Sequence, residues 1–440
     1  MTLPDGHAYN PLAVDRLALA LLLLLAGLLP SPTLGADHTP APSKEAAPPS
    51  PSSEPREPPR ATYTIGALLP LSGNAAWFGK AMRQGMELAV KEIDALAGPR
   101  LKLVVEDAHP AQPHEVATAF RKLVVSERAL AVFTASATPT LAVLPQAIRD
   151  RILVVHGGVV TPELLGASTL LVHTRPSPSL LIESATAWAR ERGVTRLAVL
   201  ASGGEAGREI RERLREAWRQ RGGSLVAEAS LLMDSPDLEA RLRQVLRSAP
   251  EGIVLGFRGP ELGVVVARLR ALGYARRLLA LDGAPEALLV AGSTAEGMEI
   301  LAERFAAPAP SEDDPEPGGD GSQPGKGDPS ADARPWPARF ASAYRAKYGA
   351  DPERYAANAY EAVHLLASVL SRLPKPLEGS ARGDRLRRAL LDGSPHPSVY
   401  GGVVRLREDG TVVRPLALLT VDGGRPTFTR YLDPPSQGRP

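Results

Sequence analysis

Side chains able to do covalent or metal chemistry are scattered along this chain. Its eight histidines include no pair at the i, i+4 helical spacing that would turn two ring nitrogens onto one metal. His156 closes an apolar run, and His109 and His114 flank a polar turn. There is no cysteine. That excludes disulfides, thiolate metal sites, a cysteine nucleophile and a lipid-modified N-terminal cysteine. No Gly-x-Ser-x-Gly elbow presents a serine nucleophile. Gly203-Gly204-Glu205-Ala206-Gly207, with Glu228 beyond it, invites a dinucleotide reading. Its spacing is Gly-Gly-x-x-Gly rather than Gly-x-Gly-x-x-Gly, and it falls in the second half of the folded region. None of these patterns marks a catalytic residue, a metal or a cofactor, and the chain is read for non-covalent recognition.

Three stretches carry that recognition. Ile65–Gly79 reads as a buried strand, a polar turn at Ser72-Gly73-Asn74 and a helix start bearing Trp77 and Phe78. Ser136-Ala137-Thr138 follows another apolar run and opens a helix, where free amides suit an anion. Asp282 follows a third. The carboxyl end of a strand feeding a helix is where open α/β sheets bind ligands. Each stretch also has a plainer reading: one of the two rings packs the helix start, and Thr138 or Asp282 caps a helix.

The elements that must position these residues alternate. Strands are expected at 64–68, 101–106, 130–133, 152–155 and 170–173, with helices at 78–96, 113–126 and 140–149 between them. A second cycle gives helices at 179–192, 206–221, 236–248 and 260–272, and strands at 196–200, 224–229, 252–256 and 277–281. Short apolar runs alternating with amphipathic helices predict βαβ units and parallel sheets. Helices follow at 336–348, 352–372 and 382–391. Strands at 400–406, 412–421 and 427–431 turn at Asp409-Gly410 and Asp422-Gly423. The two α/β halves repeat an architecture and not a sequence.

With 440 residues, 44% of them hydrophobic, the chain is long enough for two cores. A net charge of +2 gives no electrostatic case for nucleic acid. Leu17–Leu29, about 13 apolar residues, has the length of an export-signal core and not of a bilayer span. Residues 1–36 read as a signal peptide, although Asp5 and Asp15 weaken its positive start; an uncleaved anchor is the other reading. Residues 37–60 read as a Pro-rich disordered tether, 307–334 as a disordered acidic insertion and 433–440 as a disordered tail.

The ordered set of motifs resembles the type I periplasmic solute-binding proteins, in the branch that serves branched-chain amino acid (Leu/Ile/Val) ABC transporters. The resemblance is carried by Ile65–Gly79, Lys91-Glu92-Ile93-Asp94, Glu106-Asp107-Ala108-His109-Pro110, Val159–Leu164, Gly256–Glu261, Ala295–Met298, Phe340 to Pro352 and Tyr360-Glu361-Ala362-Val363. It covers about 62–306 and 335–432. It implies an α/β protein of two doubly wound parallel-sheet lobes joined by three crossing segments, near 174–181, 300–306 and 392–402. Lobe 1 would be 62–177 plus 303–395, and lobe 2 would be 178–302 plus 396–432.

The family places an aromatic ring against its ligand at Phe78, with Trp77 beside it. It holds a carboxylate at Ser136, Ala137 and Thr138, where Ala137 stands in place of a hydroxyl. It offers a carbonyl at Gly158 and a threonine hydroxyl where this chain has Val160. Ala206 replaces a tyrosine, Arg258 replaces a polar or aromatic group, and Asp282 keeps the acid that pairs with an ammonium. Each hydrogen-bond partner lost from a closed site costs about 1–3 kcal/mol. The expected ligand is therefore not leucine or valine, unless Arg258 takes the carboxylate as a bidentate pair.

Two functions follow from the resemblance. One is a periplasmic or otherwise extracytoplasmic binding protein that hands a small polar, amino-acid-like solute to a membrane ABC permease. The other is a sensor or regulator of envelope (cell-wall) enzymes with a degenerate pocket. Neither is an enzyme.

Overall fold

The computed structural model describes residues 60–96, 98–109, 113–282, 285–309, 335–374, 377 and 382–433. The expected export signal, most of the expected tether, and the bulk of the expected acidic insertion and tail lie outside the described residues. Among the described residues no helix is long and apolar enough to cross a membrane.

The strands are β1 (Thr62–Leu69), β2 (Arg100–Asp107), β3 (Ala131–Thr134), β4 (Leu153–His156), β5 (Leu171–His173), β6 (Leu197–Ser202), β7 (Leu225–Leu231), β8 (Gly252–Gly256), β9 (Arg277–Leu281), β10 (Glu299–Ala302), β11 (His396–Pro397), β12 (Val403–Leu406), β13 (Val412–Val413), β14 (Leu416–Asp422) and β15 (Arg425–Leu432). The helices are α1 (Ala76–Asp94), α2 (Pro113–Arg121), α3 (Ala137–Asp150), α4 (Pro178–Glu191), α5 (Gly204–Arg219), α6 (Leu238–Arg247), α7 (Gly259–Ala271), α8 (Pro285–Ala291), α9 (Trp336–Tyr348), α10 (Arg354–Arg372) and α11 (Arg382–Leu390). After α2 the chain widens into a π turn at Lys122–Ser126.

The first sheet runs β2-β1-β3-β4-β5 and is parallel throughout. Period-two alternation sends Ile65, Ala67 and Leu69 of β1 to one core, shared with α1, α9 and α10, and Leu68 to the other, shared with α2 and α3. That two-sided burial is what a parallel strand covered by helices requires. The second sheet runs β15-β14-β10-β9-β8-β6-β7. It is parallel from β10 to β7, and β14 and β15 add an antiparallel hairpin at its edge. Helices α4 and α5 cover one face, and α6, α7 and α8 the other. Each sheet lies between two helical layers, as the resemblance implies.

The two halves share one packing device. A Cβ on Gly79 would stand 1.9 Å from the Pro70 carbonyl oxygen, and one on Gly207 would stand 1.9 Å from that of Ser202. Each glycine lets a helix start press against the exit of the strand before it. Close helix–strand packing therefore accounts for Gly207.

Three connections join the sheets. Thr174–Ser177 leads from β5 to α4, and residues 303–335 lead from β10 to α9. The third differs from the expected place near 392–402. Strands β11, β12 and β13 form a small antiparallel sheet, and its Val399, Tyr400, Val404, Leu406 and Val412 lie in the core of the first sheet. The passage to the second sheet comes at Arg414-Pro415. The alternating run 412–421, expected as one strand, is broken there because Pro415 has no N–H to donate.

Candidate functional site

The expected ligand residues fall on the loops and first helical turns that follow the carboxyl ends of strands. Trp77 and Phe78 follow β1, Ser136, Ala137 and Thr138 follow β3, and Gly158 and Val160 follow β4. These three strands are neighbours in the first sheet. Ala206 follows β6, Arg258 follows β8 and Asp282 follows β9, again three neighbouring strands, in the second sheet. The fold thus gathers the ten residues onto two sheet edges.

On the first edge, Trp77 is 57% exposed, while Phe78 packs on the core. Their ring centres are 5.6 Å apart and nearly perpendicular. Tyr355, at the start of α10, meets Trp77 at 5.2 Å and Phe78 at 5.3 Å. The guanidinium carbons of Arg354 and Arg175 lie 5.0 and 5.7 Å from the centre of the Tyr355 ring. Offset rings and stacked guanidiniums of this kind are favourable contacts.

Ser136, and not Thr138, occupies the N-cap of α3, and its side chain makes no capping bond. Its carbonyl instead accepts the Thr140 N–H at 3.1 Å and the Thr140 hydroxyl at 2.6 Å. Ala137 is half-buried and Thr138 is exposed on the first turn. Val160 is buried at 3% exposure. Gly158 backs closely onto the Ala135 carbonyl, which would stand 2.3 Å from an added Cβ.

One buried histidine holds these loops in place. The Nδ1 of His156 lies 2.9 Å from the Thr140 hydroxyl, and its Nε2 lies 3.2 Å from the Val159 carbonyl. The ring therefore ties α3 to the loop that carries Gly158 and Val160. Burial pushes its pKa down to about 4, against the pull of the Val159 carbonyl. His173, whose ring lies 5.7 Å away, is pushed to about 4 by burial, against the pull of Asp409. Asp107 shapes the rim after β1. Burial raises its pKa, but hydrogen bonds from Ser72, Leu71 and Ala108 outweigh this and hold it below the usual carboxylate range.

On the second edge, Ala206 and Arg258 are exposed, and Arg258 is the N-cap residue of α7. Asp282 is exposed and has a φ of 59°. This left-handed backbone costs a non-glycine residue about 1–2 kcal/mol. Its N–H donates to the Leu301 carbonyl at 2.9 Å. The capping alternative for Asp282 concerned a helix from Gly283, which lies outside the described residues.

Sequence reasoning missed the charged groups that tie the connections together. Arg175 Nε donates to Glu303 Oε2 at 2.5 Å, which links the first connection to the second. Arg414, fully buried in the third, pairs with the equally buried Glu361 at 2.8 Å. It also donates to Asn358 Oδ1 at 3.1 Å and to the Thr174 carbonyl. Burial works against the Arg414 charge, and Glu361 outweighs it, so its pKa is raised. Pro176 and Val412 form an isolated parallel bridge, so the first connection runs beside the strand that leads into the third. Arg175 fell within the expected crossing at 174–181, but nothing local to the sequence marks it as buried.

Two open hollows lie elsewhere on the surface. One runs along the β14–β15 hairpin past Thr420 and Phe428, and the other lies between β2 and α2 past Asp107 and His114. Neither includes an expected site residue. Among the described residues, no three His, Cys, Asp or Glu side chains are grouped to hold a metal ion.

The chain matches the family model described as periplasmic binding protein over residues 62–425. No curated protein sequence matches it. Among solved structures it is similar to a candidate branched-chain amino acid ABC transporter protein of Rhodospirillum rubrum. That pair is 19% identical with a TM-score of 0.65, covering 84% of this chain and 100% of that one. It is also similar to an ABC transporter substrate-binding protein of Desulfitobacterium hafniense in complex with Leu, at 20% identity and a TM-score of 0.57, covering 84% and 100%. A third is a solute-binding protein of an ABC transporter from R. palustris in complex with benzoate, at 17% identity and a TM-score of 0.52, covering 85% and 97%. These likenesses concern the fold. With the model match extending over nearly the whole described chain, the protein belongs to the periplasmic binding protein family.

Proposed function

We propose that the protein is an extracytoplasmic solute-binding protein. It captures a small polar solute between the carboxyl edges of its two sheets and delivers it to a membrane ABC permease. The observation that carries this reading is the gathering of all ten expected residues on the exits of β1, β3 and β4 in one sheet and β6, β8 and β9 in the other. Strand exits are the ligand positions of open α/β sheets. Three connections between the sheets suit a hinge closure around the solute.

The left-handed backbone at Asp282 supports a ligand role, since strain of this kind gathers at binding sites. The uncapped first turn of α3 supports an anionic group on the solute. Leucine in one solved relative and benzoate in another agree with a small carboxylate-bearing guest. Binding and release involve no reaction and no nucleic acid.

A second reading, the envelope sensor or regulator, draws on Ala137, Val160 and Ala206, which supply no side-chain hydrogen bond. Native mass spectrometry of protein purified without refolding separates the two readings. A stoichiometric co-purified small molecule, lost in a Trp77→Ala, Asp282→Ala variant, supports solute capture. Bare protein that binds no member of an amino-acid and organic-acid panel refutes it.

A further inference from the structure

Arg175 has a feature that closure of the two sheets does not explain. The residue is 9% exposed. Its Nε and Nη2 both serve the same Glu303 oxygen, Oε2. Its Nη1 is buried and has no partner, and neither has Glu303 Oε1. A buried guanidinium N–H left unpaired is unfavourable, and native structures seldom keep one without a use. This guanidinium stands 5.7 Å from the centre of the Tyr355 ring. Tyr355 is walled in turn by Trp77 and Phe78, and Arg354 lies over its ring. Trp77 is the most exposed of these rings, so it is the one free to turn aside and admit a guest.

We propose that this corner is the ligand subsite, and that its guest is a planar aromatic monocarboxylate without an ammonium group. The inference rests on the proposed function and selects among the solutes it allows. The carboxylate takes the free Nη1 edge of Arg175, an arrangement that guanidinium geometry favours. The aromatic body lies among the Trp77, Phe78 and Tyr355 rings, which offer offset and edge contacts to a flat guest. Two guanidiniums and one carboxylate already engaged by Arg175 leave the corner positive. That favours an anion and opposes an ammonium at the same place. Arg258 and Asp282, on the other sheet, and the first turn of α3 then act at the mouth of the site instead of on the carboxylate.

The test is titration calorimetry and tryptophan fluorescence with benzoate and with leucine as separate probes, on the full chain after exhaustive dialysis. The variants are Trp77→Ala and the paired Arg175→Gln, Glu303→Gln, which removes both charges and leaves no unpaired ion. The expected result is benzoate binding with a change in emission, weakened at least tenfold in the paired variant while its thermal melt and circular dichroism stay native. Trp77→Ala weakens it several-fold. Leucine binding without benzoate binding overturns the inference, as does benzoate binding undiminished in the paired variant. Where the paired variant does not fold, Trp77→Ala and the benzoate-against-leucine preference decide. If neither probe binds but another solute co-purifies, this inference falls and the proposed function stands. If nothing co-purifies either, both fall.

Discussion

Mild acid should destabilise this fold well before its carboxylates titrate. His156 and His173 are buried at 0% and 1% exposure, and burial lowers each pKa from 6.5 to about 4. In that window the unfolded chain takes up protons that the folded chain refuses. Stability is therefore full above about pH 6.5, falls as the pH drops, and levels off below about pH 4. At ~1.4 kcal/mol per pH unit, the full loss is about 3 kcal/mol for each imidazole, and about 2 kcal/mol of it has gone by pH 5. Asp107, whose pKa is held below the usual carboxylate range, loses its contribution only in stronger acid, outside this window. The assay is urea unfolding followed by circular dichroism at pH 7, 6 and 5. The control is His173→Gln, which keeps a donor for the Leu164 carbonyl that His173 serves and no longer titrates. Wild type should lose about 2 kcal/mol more than the variant between pH 7 and 5, since His396, whose pKa burial also lowers, titrates in both. A wild-type stability flat across that range, or an unchanged slope in His173→Gln, would refute the reasoning.

Other substitutions probe the connections and strand exits. Arg414→Met leaves Glu361 buried and unpaired and should cost about 3–5 kcal/mol in denaturant unfolding, with most of that recovered on adding Glu361→Gln. Gly79→Ala drives a methyl into the Pro70 carbonyl and should lower stability by about 1–3 kcal/mol, read as a fall in melting temperature. Asp282→Gly relieves the left-handed backbone. It should leave stability unchanged or raise it by up to about 1 kcal/mol, while solute affinity measured by calorimetry falls.

The sequence carried most of the fold because its signals were local. The two-sided apolar character of β1, the alternation of strands and helices, and the Asp-Gly turns each depend on a few adjacent residues. Helix starts were read late: α1 begins at Ala76 and α5 at Gly204, because small or polar residues fill their first turns and apolar spacing does not register there. The third crossing was misplaced because Tyr400 and Val404 alternate as well in one core as in another. Only their packing in the core of the first sheet assigns them to the first lobe. The strand exits of the candidate site were legible from topology and resemblance. Tyr355, Arg175 and Arg414 were not. Arg175 meets Glu303 across 128 positions and Arg414 meets Thr174 across 240, and no local pattern encodes contacts at such range.

The central claim is that a solute is held between the two sheet edges by closure of the lobes. The absence of cysteine makes site-specific spin labelling direct. Lys80→Cys on α1 and Glu261→Cys on α7 are both exposed and place one label on each lobe, outside the expected ligand residues. Pulsed electron–electron distance measurement, before and after addition of the solute that co-purifies with the protein, should show the inter-label distance shorten and its distribution narrow. A solute that binds with the distance unchanged would contradict the account.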